Sequence, residues 1–453
     1  MNLLQALRGT QAPTIAFVGA GGKTTAMFQL ARQLPPPVIV TTTTHLGVWQ
    51  IPLADEHVVL TKPVISGQFN PHGVTLVTGE VEGDRVKGPA NDVIQWLREV
   101  SKESQIPLLI EADGSRQKPL KAPAEHEPVI PEFVDQVVLV VGLSGLGKSI
   151  GDEFVYRSEI FARLSGLQPG EAISTEALAR VLTNPEGGLK GIPGSARRVL
   201  LLNQADTPEL QSQAHAMIKH LFSAYEAIII ADLQTEKIHA VHEPIAGIIL
   251  AAGESRRFGQ PKQLLEWRGE LFVRAVAKTA LEAGLYPVVV VTGAYSSEVA
   301  SAMQDLPVQV VHNPEWQSGQ ASSIRAGLSP LAFPLQNSKN FGEDDPQGRA
   351  RAGGAIFLLA DQPQITPAIL HALVDEHAVT LSPIIAPMVL DQRANPVLFD
   401  CATFPNLLSL EGDVGGRAVF SKHKINYLIW HDDAMLLDVD TPEHYQRLKD
   451  LLE

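Results

Sequence analysis

The chain has 453 residues, more than a single core ordinarily holds, so two or three domains are expected. Hydrophobic residues at 45% and charged residues at 19% exclude wholesale disorder. A formal net charge of −14 argues against a nucleic-acid binder that grips phosphates by bulk charge, and leaves room for a small basic pocket that holds one nucleotide.

The opening MNLLQALRGTQAP offers neither an apolar h-region nor a small-residue cleavage site. Nowhere does the chain approach the roughly 18 uninterrupted apolar residues of a membrane helix. A soluble cytoplasmic protein with no membrane and no nucleic-acid partner is expected. The first apolar run, residues 14–18 (TIAFV), strikes a Gly-rich turn and passes into the helical pattern TTAMFQLARQL, the opening of a βαβ unit. Further strands are predicted at 37–42, 57–61, 107–111, 136–141, 199–203 and 227–231. Most are continuous apolar runs, as in strands buried on both faces of a mostly parallel sheet. The stretch TEKIHAVHEP at 235–244 is polar and ends in proline. It places a domain boundary near residue 243, giving domains 1–243 and 244–453.

Between the first strand and its helix lie Gly19, Ala20, Gly21, Gly22, Lys23, Thr24 and Thr25. Glycines let backbone N–H groups face a phosphate, the helix start adds its dipole, Lys23 can bridge the β- and γ-phosphates of ATP or GTP, and Thr24 can hold Mg²⁺. The loop is shorter than GxxxxGK[ST], whose first glycine would fall at Phe17. The plain alternative is a Gly-rich βα turn with an incidental lysine. Residues 142–149 (GLSGLGKS) match the full pattern, but Gly151 and Asp152 follow where a helix should be running, so Lys148 is read as a chance match. The strand LLIEADGS ends in Glu111 and Asp113, where a carboxylate could serve the Mg²⁺ shell. Residues 203–206 (NQAD) are similar to the NKxD guanine-reading motif of GTPases, with Asp206 in the reading position, or are a polar turn. The run Thr41–His45 and the basic loop Arg116–Lys121 are candidate phosphate neighbours or ordinary strand end and surface. Together GAGGKTT, TTTTHL, IEADGSRQKPLKAPAEHEPVIP, LNQAD and YRSEIFARLSG resemble the YqeC family, accessory proteins of selenium-dependent molybdenum hydroxylases, over about residues 10–235. The resemblance implies a P-loop-like NTPase or cofactor-handling role.

A second βαβ opening begins at 245–250 (IAGIIL). Strands at 287–292, 308–311, 355–359 and 384–386 and a helix at 271–284 repeat the α/β style, so both halves read as α/β domains. Residues 335–354 are rich in glycine, asparagine and charge and are expected to form a mobile loop. The lone cysteine, Cys401, excludes an internal disulfide, a CxxC pair and a thiolate zinc site. The turn LAAGESRRFGQPK at 250–262 is similar to the LxxGxSxRMGxxK signature of nucleotidyltransferases, with Phe258 for the usual Met. Arg256 and Lys262 supply two cations for the phosphates that leave as pyrophosphate. Asp361 ends one strand; Asp438 and Asp440 lie near the C-terminus. Carboxylates from two chain segments suit Mg²⁺, and Asp361 with Asp438 is the favoured pair, Asp440 being read as the N-cap of the last helix.

With residues 313–328 (NPEWQSGQASSIRAGL), LLADQPQIT, RANPV and GDVGGR, this turn closely resembles MocA-type molybdenum cofactor cytidylyltransferases over roughly 245–453. Ala394 stands where glycine is usual. The resemblance implies a Rossmann-like transferase that joins CTP to molybdopterin-bound molybdenum and releases pyrophosphate. It places Leu250, Ala251, Ala252, Gly253, Lys262 and Ser323 at the nucleotide, with Arg256, Lys262 and Asp361 catalytic. Guanylyl-transferring relatives usually have glycine at the position of Ala252, so LAAG leans toward CTP. Rival readings are a guanylyl or sugar-nucleotide transferase, and a non-catalytic carrier that delivers the cofactor to an apo-hydroxylase.

Overall fold

The fold is that of a computed structural model, which describes residues 1–9, 12–64, 68–254, 258–332 and 350–450. These divide into two compact units, Met1–His242 and Glu243 onward. Both are α/β.

In the first unit nine strands form one sheet. They are β1 (Thr14–Gly19), β2 (Val38–Thr42), β3 (Glu56–Val59), β4 (Val74–Thr78), β5 (Leu108–Glu111), β6 (Gln136–Gly142), β7 (Arg197–Asn203), β8 (Ala227–Asp232) and β9 (Lys237–His242). Their order is β9-β8-β7-β6-β1-β5-β2-β4-β3, and every pairing is parallel except β8 with β9. The continuous apolar runs are buried on both faces; Val137, Leu139, Leu200, Leu202, Ile228 and Ile230 share one core. The chain leaves β1 toward β2 and later returns to β6 on the other side. A crevice therefore opens at the carboxyl ends of β1 and its neighbours, where ligands bind in such sheets.

Two strands differ from the sequence reading. The threonines of β4 (VTLVT) suggest a polar face, yet Thr75 and Thr78 are buried because their hydroxyls donate to the His72 and Gly79 carbonyls. The polar stretch at 235–244, read as marking the domain boundary, is mostly β9, an edge strand against β8 with a half-exposed face.

The second unit is built on β10 (Ile245–Ala251), β11 (Val288–Thr292), β12 (Gln309–His312), β13 (Gly354–Leu359), β14 (Ile384–Val389), β15 (Gln392–Arg393), β16 (Val397–Asp400) and β17 (Ile425–Ile429). The sheet order is β12-β11-β10-β13-β16-β14-β15, with β17 added beside β14. Alternate residues of the parallel strands serve opposite faces. Ile249, Val290 and Leu358 pack in a core with residues of the helices Phe272–Glu282 and Pro367–Thr380, whereas Ile248, Val291 and Phe357 pack with Ile324 and Leu328 of the helix Gln320–Leu328. From β10 the chain moves out to β11 and β12, then crosses back to β13 on the other flank of β10, a second switch point. Of the predicted mobile loop at 335–354, residues 335–349 lie outside the described residues; Ala350–Arg351 pairs with Leu331–Ala332, and Gly354 opens β13. Among the described residues no helix is long and apolar enough to cross a membrane.

Candidate functional sites

At the end of β1, Gly19, Gly21 and Gly22 have φ of 97°, 75° and 126°. A Cβ on Gly21 would lie 2.3 Å from the Gly142 nitrogen, so the turn requires glycine there. The turn feeds α1 (Lys23–Gln33), which no side chain caps, and its first N–H groups are left for solvent or an anion. Lys23 is buried; its Nζ donates to the Gly19 carbonyl at 2.9 Å and sits 3.3 Å from Asp113 and 3.9 Å from Glu111. Thr24 Oγ1 donates to Glu111 at 2.7 Å and accepts from Gln50 at 2.9 Å. Burial pushes the Glu111 carboxyl up, against the pull of Lys23 and the Thr24 hydroxyl.

Behind this loop runs a chain of ion pairs. Asp113 accepts the Gly19 N–H at 3.0 Å and a hydrogen bond from Lys121 at 2.7 Å. Lys121 reaches Glu127 at 3.0 Å, and Arg157 closes on Glu127 with two bonds of 2.6 and 3.0 Å. Burial alone would raise the Glu127 pKa; Arg157 and Lys121 outweigh it and hold the carboxyl at about 2. Gly21–Thr25, Thr44, His45, Glu111 and Arg116 share one cavity of about 750 Å³.

In the second unit a cavity of about 690 Å³ sits between the ends of β10 and β13. Leu250, Ala251, Ala252, Gly253, Lys262, Ser323 and Asp361 line it together. Gln263 Nε2 donates to the Gly253 carbonyl at 3.0 Å and fixes the turn from below. Asn313 donates to the Ser322 and Ser323 hydroxyls at 2.8 and 3.1 Å, which aligns the start of the helix Gln320–Leu328. Lys262 Nζ lies 3.4 Å from Asp361 and 2.6 Å from Asp440. Burial pushes the Asp361 carboxyl up; Lys262 draws it back and neighbouring Asp438 pushes it further up. Asp438 is exposed and accepts from Gln362 Nε2 at 2.6 Å.

Residues 15–159 match the model of the YqeC protein family, and residues 247–426 match that of the MobA-like NTP transferase domain. The uncharacterized protein YqeC of Escherichia coli is 35% identical over 237 residues, covering 49% of this chain and 87% of the relative. The chain belongs to the YqeC family, fused to a MobA-like NTP transferase domain. Over the transferase half, the nicotine blue oxidoreductase of Paenarthrobacter nicotinovorans is 31% identical across 215 residues, 45% of this chain and 96% of the relative. A probable molybdenum cofactor guanylyltransferase of Chloroflexus aggregans is 34% identical over 137 residues, 29% of this chain and 53% of the relative.

In the YqeC unit the structure brings Gly21, Gly22, Lys23, Thr24, Thr25 and Glu111 to one cavity, while Gly19 lies beneath the turn. Asp206 is not brought there. Gln204 turns the chain with φ of 63°, Ala205 is tied to the Ala231 carbonyl, and Asp206 emerges exposed just before a new helix. From that turn it is buried Asn203 that reaches the Gly-rich loop: its amide donates to the Gly21 carbonyl at 2.7 Å and accepts the Leu233 N–H at 2.9 Å. No helix follows Lys148; Ser149 forms an isolated bridge with Ala172 instead. In the MobA-like unit Arg256 lies outside the described residues. Asp440 is not the helix cap: Thr441 Oγ1 accepts the His444 N–H, and Asp440 turns to Lys262. Trp316, Gln317 and Asp413 also line this cavity. Their signal was present in the segments NPEWQSGQASS and GDVGGR, which carry them. Among the described residues no group of three or more His, Cys, Asp or Glu is arranged to hold a metal.

Proposed function

We propose that the MobA-like unit transfers CMP from CTP to molybdopterin-bound molybdenum, and that the YqeC unit binds ATP or GTP and assists maturation of a molybdenum hydroxylase. The observation that carries the first part is the convergence of seven residues, chosen for their motifs, on a single cavity at a switch point. Lys262 stands at the mouth of the Gly253 turn with two carboxylates for company, placed to exchange one of them for a phosphate oxygen. In this reading the pterin's terminal phosphate attacks the α-phosphorus in line. A new P–O bond forms, the α–β bridging bond breaks, and its electrons leave with pyrophosphate. Lys262 and Arg256 take up the charge that develops on the leaving group. The attacking phosphate is already ionised, so no side chain need act as a strong base.

Asp361 and Asp438 fit a divalent cation: burial and mutual repulsion disfavour the ionised Asp361, and a bound cation relieves both. When bound, Mg²⁺ would screen the triphosphate. Phosphate and water oxygens would complete a shell to which the protein gives two carboxylates. In the YqeC unit the matching pair is Thr24 and Glu111.

Ala252 supports CTP. A second reading, GTP, is supported by the printed name of the Chloroflexus relative. Pyrophosphate release measured with each nucleoside triphosphate, with and without molybdopterin, tests the proposal. Release with CTP that requires the pterin is expected. Release with GTP alone replaces cytidylyl by guanylyl transfer. No release with any triphosphate overturns the transferase reading and favours redox chemistry of the kind in the Paenarthrobacter relative's name, or a carrier.

A further inference from the structure

Two arginines on the cavity of the YqeC unit have no carboxylate to answer them among the described residues. Lys23, Lys121 and Arg157 are matched by Asp113 and Glu127, and Lys118 donates to the Glu153 carbonyl. Arg85 and Arg116 line the same cavity, and neither has a carboxylate partner among the described residues. A guanidinium facing a cavity without an anion is a ready fork for phosphate. Arg116 and Gln117 are successive non-glycine residues with φ of 48° and 61°, a backbone that side chains disfavour and that persists only where its surroundings enforce it. That turn sets the Arg116 guanidinium 5.2 Å from the centre of the Tyr156 ring, which Arg157 flanks at 4.4 Å. The Tyr156 hydroxyl makes no hydrogen bond among the described residues. Trp49 lines the cavity too, with 60% of its surface exposed, which is unusual for so large an apolar ring.

We propose that this wall, Arg85, Arg116, Tyr156 and Trp49, is a second ligand site in the YqeC cavity, for a flat heteroaromatic ring that carries a terminal phosphate. The arginines take the phosphate, and the two aromatic side chains take the ring. The site is distinct from the Gly19–Thr25 turn, whose own partners for a triphosphate are Lys23, Thr24 and the start of α1. A cavity of about 750 Å³ lies high in the range of roughly 300–1,000 Å³ typical of single-ligand sites. The proposal goes beyond nucleotide binding at that turn and does not depend on which nucleotide the MobA-like unit uses.

Riboflavin 5′-phosphate is a suitable probe, titrated into the full chain and followed by its fluorescence. Binding with quenching is expected, and riboflavin without the phosphate should bind at least tenfold more weakly. Arg116→Ala and Arg85→Ala should each weaken the phosphate form about tenfold. Lys23→Ala, and Lys262→Ala in the other unit, should change it less than twofold. ATP or GTP should bind alongside the probe. The proposal is overturned by no probe binding up to about 1 mM, by unchanged affinity in the Arg85→Ala/Arg116→Ala double variant, or by equal binding of riboflavin. It is also overturned by loss of binding in Lys23→Ala, or by competitive displacement with ATP or GTP, since one ligand would then span the cavity. Failure of the transferase reading would appear in pyrophosphate release and leave these results untouched.

Discussion

At the scale of single residues, the two cavities hold their lysines in the same way. Lys23 and Lys262 are each held by two carboxylates, so each ammonium is already positioned in its cavity. Lys262→Ala or Asp361→Ala should therefore reduce transfer a few hundred-fold, the loss of roughly 3–4 kcal/mol of transition-state stabilisation. The far-ultraviolet circular dichroism should not change, and wild-type turnover in either variant removes that residue from the mechanism. Glu127 carries a pH signature. Its folded pKa of about 2 lies below the ordinary 4.5, so its stabilising effect is complete above about pH 4.5 and fades as the pH falls toward 2. The difference in melting temperature between the wild type and Glu127→Gln should accordingly shrink across that window. A difference that stays constant from pH 6 to pH 3 contradicts the role of the Arg157–Glu127–Lys121 chain. Lys262 and Asp361 were legible in the sequence because a dense motif surrounds them. The Asp440–Lys262 pair was not, because it joins segments 178 positions apart and Asp440 precedes a Thr-Pro pair that itself looks like a helix start.

At the scale of elements, the contrast between Lys23 and Lys148 shows why context outweighs letters. The shorter turn ends a buried strand and opens an eleven-residue helix with no side-chain cap, whereas the full pattern at 142–149 passes into a short 3-10 turn and an isolated bridge. Anion binding draws on the unpaired N–H groups and dipole of a helix start. ATP and GTP affinity should fall at least tenfold in Lys23→Ala and stay unchanged in Lys148→Ala; the reverse result relocates the site. Gly21→Ala should cost about 1–3 kcal/mol, read by denaturant titration, because φ is 75° and the new Cβ meets the Gly142 backbone. The strands that sequence reading found were those with unbroken apolar runs. It missed β4, whose threonines satisfy themselves by hydrogen bonds, and β9 and β17, which lie at sheet edges with half-exposed faces. Periodicity reports burial: β9 and β17 lack the full burial of a central parallel strand, whereas β4 is wholly buried and its threonines hide that from an apolar pattern.

At the scale of the whole molecule, the chain joins two sheets that each open a cavity at a switch point. Every residue assigned to nucleotidyl transfer lies in the second unit. A fragment of residues 244–453 should fold and carry out transfer alone; a soluble but inactive fragment that recovers activity when residues 1–243 are added would show that the units share the site. The most direct measurement is the mass of the pterin product after incubation of the full chain with molybdopterin-bound molybdenum, Mg²⁺ and CTP. The expected product is a pterin heavier by one cytidylyl group, formed in step with pyrophosphate and absent with Lys262→Ala. An unchanged pterin mass with CTP and with every other nucleoside triphosphate would contradict it.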